Sequence, residues 1–191
     1  MIGRKFVTRF FAVMLCCFLV TTQGVAEQTV AGVKVADTVS VAGNSLLLNG
    51  VGIRKATFLR IKVYVASLYV EQKDQDPETL ISNNSTLLLH MDFVRSVSAK
   101  KLRGAWSEGF EKAPAYTASM KSKVDAFNAA MKDVSEGDRI AILFKEESVE
   151  LTMPGGAETE IEGAGFRKAL LQIWLGPEPP NADLKDGMLG K

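Results

Sequence analysis

The chain has 191 residues, 47% of them hydrophobic and 24% charged, with 23 basic side chains against 22 acidic ones. The two signs are interspersed and form no basic stripe, which argues against nucleic acid as a partner. Two cysteines and one histidine are too few for a zinc centre.

Arg4, Lys5 and Arg9 precede an apolar run over residues 10–20, and small residues follow up to Ala26. This is the layout of a secretory signal peptide. The run is too short to cross a bilayer, which takes about 20 residues. Cleavage after Ala26 implies a periplasmic product spanning residues 27–191, read as one domain. Both cysteines, Cys16 and Cys17, leave with the signal, so no disulfide framework is expected. Three basic residues and no acidic one leave too, which turns the net charge from +1 to −2.

Residues 30–48, rich in Val, Leu and turn formers, read as short strands joined by hairpins, with a turn at 42–45. Gly50-Val51-Gly52 predicts a bend or bulge before Arg54. Residues 57–70 give the longest strand signal. There Leu59, Ile61, Val63 and Val65 alternate with Arg60, Lys62, Tyr64 and Ala66. Asp76-Pro77-Glu78 is an N-cap, a proline at the first helical position and an acid in the first turn. A short helix to about Ser82 and a strand over 85–93 follow.

Leu102, Trp106 and Phe110 share one face of a helix over 98–112 that Pro114 ends. Met120, Val124, Phe127, Met131 and Val134 predict a second helix over 118–134. Residues 139–145 and 148–153 read as a hairpin, and 158–162 as one more strand. Phe166, Ala169, Leu170, Ile173 and Trp174 form the apolar stripe of an amphipathic helix that Gly176-Pro177 terminates. The tail, 181–189, reads as a last short helix. The expected class is α+β, with helices gathered on one face of an antiparallel sheet.

His90, among leucines and a methionine, reads as a structural strand residue, since no nucleophile elbow accompanies it. The acidic residues follow no metal-binding spacing. Gly50-Val51-Gly52 lacks the third glycine of a dinucleotide fingerprint. No metal or cofactor is therefore expected. Arg54 offers a planar fork of donors for an oxyanion. Its alternative role is a strand-edge ion pair. Tyr64 is either a second donor to the same ligand or an aromatic packed on the sheet with its hydroxyl at the rim. Aromatic helix faces are core, or walls of an apolar pocket.

Three blocks together resemble the chalcone isomerase-like family, most closely its bacterial exported branch. They are Gly50-Val51-Gly52-Ile53-Arg54, the strand from Ile61 to Val70, and Ile173-Trp174-Leu175-Gly176. The resemblance implies an open-faced β-sandwich, an antiparallel sheet covered on one face by helices. Catalytic members use an arginine after the Gly-x-Gly to stabilise an anionic chalcone during intramolecular ring closure, and Arg54 matches it. Their strand threonine falls on Tyr64. Their helix tyrosine and asparagine fall near Leu102 and Gly109, and their last-helix threonine near Ile173. Non-catalytic members hold a fatty-acid carboxylate with the arginine and a nearby tyrosine, a pattern closer to Arg54 with Tyr64.

The resemblance therefore implies an exported protein that binds a small amphipathic acid without catalysis. Its ligand-binding residues are expected to be Arg54, Tyr64, Ile173 and Trp174. An intramolecular lyase, or an envelope interaction protein with a vestigial cleft, are the alternatives.

Overall fold

The computed structural model describes residues 26–41 and 43–191. All of the expected signal peptide except Ala26, and Ala42 of the expected turn, lie outside them.

Strands β1 (Glu27–Val30) and β2 (Val33–Ala36) form a separate antiparallel hairpin. Ala31 and Gly32 turn it with φ of 50° and 86°, the left-handed pair that matches the natural twist of a tight hairpin. The main sheet takes β3 (Thr38–Val41), β4 (Asn44–Ala56), β5 (Ile61–Val70), β6 (Leu87–Phe93), β7 (Arg139–Phe144), β8 (Ser148–Met153) and β9 (Ala157–Glu162) in chain order. Every neighbouring pair is antiparallel.

Between β5 and β6 lies α1 (Pro77–Ser82), whose start Asp76 caps by accepting from the Glu78 and Thr79 amides. Between β6 and β7 lie α2 (Ala99–Lys112), capped by Ser98, and α3 (Lys121–Ala129). After β9 come α4 (Ala164–Leu175) and α5 (Ala182–Met188). The helices cover the inner face, where Ala66, Leu68, Leu89, Ile142, Phe110, Phe127, Phe166 and Trp174 share one core. On the outer face Val35 of the hairpin packs with Leu46, Leu48, Val65, Tyr69 and Leu88. This is the open-faced sandwich expected of the chain.

Three expectations change. Residues 57–60 are not strand but a turn, closed by the Arg60 amide donating to the Thr57 carbonyl at 3.1 Å. By contrast, Gly50-Val51-Gly52 has beside it the bulge expected before Arg54. It lies inside β4, directly after a bulge at Asn49, the extra residue between the pairs Leu48–Tyr69 and Gly50–Leu68. The second central helix stops at Ala129, after a short 3-10 turn over Ala118–Met120. Met131 and Val134 are buried from the segment beyond it. Finally, α4 is not amphipathic. Arg167 and Gln172 are buried with its apolar residues, because α1, α2 and the sheet enclose it. Gln172 accepts from the Ala115 amide at 2.7 Å, and Arg167 donates to the Ser85 carbonyl at 2.9 Å.

Candidate functional site

Two bulges decide what faces the helices. A strand alternates its side chains between faces, so one extra residue exchanges them. Leu46 and Leu48 belong to the outer core. The bulge at Asn49 then turns Gly50, Gly52 and Arg54 to the inner face. Asn49 is tied down by both functions of its amide: Nδ2 donates to the Met188 carbonyl and Oδ1 accepts from the Asp74 amide, each at 2.9 Å.

The glycine pair is a bed for α5. A Cβ on Gly50 would overlap the Gly187 carbonyl, and one on Gly52 the Leu184 carbonyl. The helix therefore lies directly on the β4 backbone. Its leading residue, Asn181, arrives where Arg54 emerges. Asn181 Oδ1 accepts from the Lys55 amide at 2.8 Å and from Arg54 Nη1 at 3.0 Å. Arg54 Nη1 also donates to the Lys55 carbonyl. One edge of the guanidinium is thus held by the protein. Nε and Nη2 make no hydrogen bond among the described residues and can bind a ligand.

Arg54 stands directly opposite Tyr64, and Tyr64 opposite Phe93, in one row across β4, β5 and β6. The second bulge, Val63, separates the pairs Lys55–Lys62 and Arg54–Tyr64. It lets both Val63 and Tyr64 line the inner cavity. The polar-looking partners in the β5 alternation are therefore the inner set from Tyr64 onward: Tyr64, Ala66, Leu68 and Val70 all enter the main core. Tyr64 is 8% exposed, so its hydroxyl is not at a solvent rim.

From α4, Trp174 Nε1 donates to the Tyr64 hydroxyl oxygen at 3.1 Å. The phenol's own proton remains free for an acceptor. Burial pushes the Tyr64 pKa up, more than the Trp174 hydrogen bond and the Arg54 charge pull it down, so the group is a neutral donor. Trp106 of α2 meets Trp174 edge-on with ring centroids 5.4 Å apart, and donates its own indole N–H to Met131 Sδ.

These groups surround a cavity of about 600 Å³ between the sheet and α2. The four residues expected to bind ligand, Arg54, Tyr64, Ile173 and Trp174, all line it. Leu102 and Gly109 do as well. Gly109 leaves room for Ile173, whose Cγ2 a Cβ there would meet at 2.9 Å. The wall is hydrocarbon at Val63, Met91, Phe93 and Trp106, and the rim is charged. Arg95, Lys101, Lys112, Glu108 and Glu178 stand there, with Glu108 held by Lys112.

Asn181 and the rim cations were not found by reading the chain. Asn181 began the expected tail helix and caps it by position, but its side chain serves β4 instead. Lys101, Ala105, Glu108 and Lys112 flank the apolar stripe of α2. A reading of the residues one or two positions aside from that stripe would have found these four.

The outer face carries the lone histidine. His90 lies opposite Ser67 on β5 and against the Tyr69 ring, with centroids 5.3 Å apart. Burial, with the Arg139 charge, lowers its pKa to about 4. Asp92 Oδ1 accepts from Arg139 Nε at 2.7 Å rather than from an imidazole. None of these residues lines the cavity. Among the described residues no group of His, Cys, Asp and Glu is placed to hold a metal ion.

The profile of the chalcone isomerase-like family matches residues 27–190. No curated protein sequence matches the chain significantly. The fold is similar to the crystal structure of an Arabidopsis thaliana fatty-acid binding protein, with a TM-score of 0.68 and 14% sequence identity. The alignment covers 86% of this chain and 96% of that one.

Proposed function

Because the chain belongs to the chalcone isomerase-like family, we propose that it holds a small amphipathic acid, such as a fatty acid, in this cavity without transforming it. One observation carries the reading: a fixed cation and a neutral hydroxyl donor, Arg54 and Tyr64, stand side by side in a cavity that also has a hydrocarbon wall. A carboxylate accepts from both, and charge-assisted bonds of this kind are the strong ones. The hydrocarbon tail then lies along Val63, Met91, Phe93 and Trp106. About 600 Å³ falls among small-molecule pockets, which run from about 300 to 1,000 Å³. The fatty-acid binding title of the structural neighbour supports the same reading. The basic, then apolar, then small-residue start of the chain supports export, with binding in the periplasm.

Native mass spectrometry of the purified protein tests this. The expected spectrum carries a lipid-sized adduct, or gains one when oleate is added to stripped protein. A protein that is always empty and shows no shift with oleate overturns the reading.

The lyase alternative rests on Arg54. At Leu102, Gly109 and Ile173 the wall offers no hydroxyl or amide to orient a chalcone, and a site without such donors discriminates poorly. Loss of chalcone absorbance at the buffer rate, in wild type and Arg54→Ala alike, removes that alternative.

A further inference from the structure

The main apolar exposure of the molecule is concentrated at one point. Four large hydrophobic residues are exposed among the described ones, and three of them, Phe58, Leu59 and Ile61, lie in the β4–β5 turn and its first strand residue. Phe58 is 91% exposed and Leu59 65%. Two adjacent, largely exposed large side chains on a turn tip are left uncovered by the described residues. Such a cluster costs solubility unless something outside the chain covers it.

The setting of this turn indicates what covers it. Ala56, Thr57 and Ile61, which flank the tip, line the mouth of the cavity. Cations outnumber acids in the same lining, with Arg54, Arg95, Lys101 and Lys112 against Glu108 and Glu178. Lys62 follows Ile61, and Arg95 and Lys101 stand on the rim. None of the three is in an ion pair among the described residues. Lys55 and Arg60 also flank the tip and share the single carboxylate of Asp183. Apolar side chains at a tip, ringed by basic ones, are the composition of a segment that inserts shallowly between lipid headgroups. Basic residues near an anionic surface add attraction that salt screens. Among the described residues no helix is long and apolar enough to cross a membrane, so this would be contact from one side.

We propose that the β4–β5 turn docks on a bilayer surface bearing anionic headgroups. With the ligand assigned above, on which this second part rests, docking sets the cavity mouth against the leaflet. An amphipathic acid then passes between leaflet and cavity with its tail shielded from water.

Vesicle flotation of the full protein tests this, using phosphatidylcholine vesicles with and without phosphatidylglycerol. The comparison variant is Phe58→Ser with Leu59→Ser, whose exposed positions leave the core intact. Wild type is expected to float with the mixed vesicles, and the variant at least about tenfold less. Added salt is expected to weaken the wild-type association. Affinity for a fluorescent fatty acid in vesicle-free solution is expected to be equal in the two proteins. Equal flotation of wild type and variant overturns the docking role of the turn. Equal flotation with and without phosphatidylglycerol overturns the anionic surface. A wild-type dimer that the variant dissolves, with no vesicle binding, assigns the tip to a second copy and also overturns the proposal. Flotation that depends on the tip, in a protein binding no fatty acid in solution, supports docking while removing the ligand assignment.

Discussion

The two faces of the sheet carry polar residues of equal chemical promise and put them to different uses. On the outer face Ser67 and His90 oppose each other across two strands, with Asp92 two residues along. The residue types are those of a hydrolytic triad. Yet Asp92 is bound by Arg139, and His90 lies on a tyrosine ring. On the inner face the pair is only Arg54 and Tyr64, but it opens on the cavity. Residue type does not separate the two sets. Access to the cavity does.

The largest expected effect tests how far the inner site is also core. Trp174→Ala removes a buried indole that meets Trp106 edge-on and bonds Tyr64. A loss of about 3–5 kcal/mol in urea unfolding is expected. A loss under about 1 kcal/mol would mean that Trp174 is a yielding cavity wall rather than a structural support.

The outer face should announce itself through pH. The folded His90 pKa, about 4, lies below its unfolded value of 6.5. The neutral form is therefore preferred in the fold, and its stabilisation is complete above about 6.5. It is lost as pH falls from there toward 4, by roughly 3 kcal/mol in all. His90→Gln should flatten the stability profile across that window and leave fatty-acid affinity unchanged. A change in affinity would join the two faces into one functional unit.

Arg54→Ala should do the reverse. Loss of a charge-assisted contact to a carboxylate is expected to weaken oleate binding by roughly 1.5–3 kcal/mol in titration calorimetry, with little change in unfolding. Arg54→Lys should recover only part, since an ammonium lacks the fork. A sharp fall in melting temperature with unchanged affinity would make Arg54 a strand residue that serves Asn181 and nothing else.

Tyr64→Phe should be milder. The ligand loses one neutral hydrogen bond, about 0.5–1.5 kcal/mol of affinity. Trp174 Nε1 also loses its acceptor, so a comparable loss of stability accompanies it. A variant with wild-type affinity would show that the hydroxyl serves Trp174 alone.

Much of this was legible in the chain. Asp76-Pro77 fixed the start of α1, and the four-residue steps of Leu102, Trp106 and Phe110 drew α2, because caps and periodicity act within a few residues. Arg54 and Tyr64 stood out by chemistry. The failures share a cause. The run 57–70 looks continuous because Phe58, Leu59 and Ile61 suit a strand, but only Ile61 joins the ladder, opposite Ala56, while Phe58 and Leu59 stay exposed. The repeat through Met131 and Val134 continues a helix on paper. In the fold, Val97 and Val134 pair their backbones instead, each amide donating to the other's carbonyl.

By itself the sequence determined the order of elements, the helix starts and the class of residue facing a ligand. The tertiary structure decided the phase of the strands. Asn49 and Val63 each insert one residue into the β4–β5 ladder, and a strand with period two changes face at every insertion. The glycines at 50 and 52 marked the first bulge, and no local propensity marks the second. The first holds because α5 lies on Gly50 and Gly52, reaching Asn49 at one end and Arg54 at the other. That contact joins residues more than 120 positions apart, as in the bond from Asn181 to Arg54. It turns an arginine that either face could have received toward the cavity.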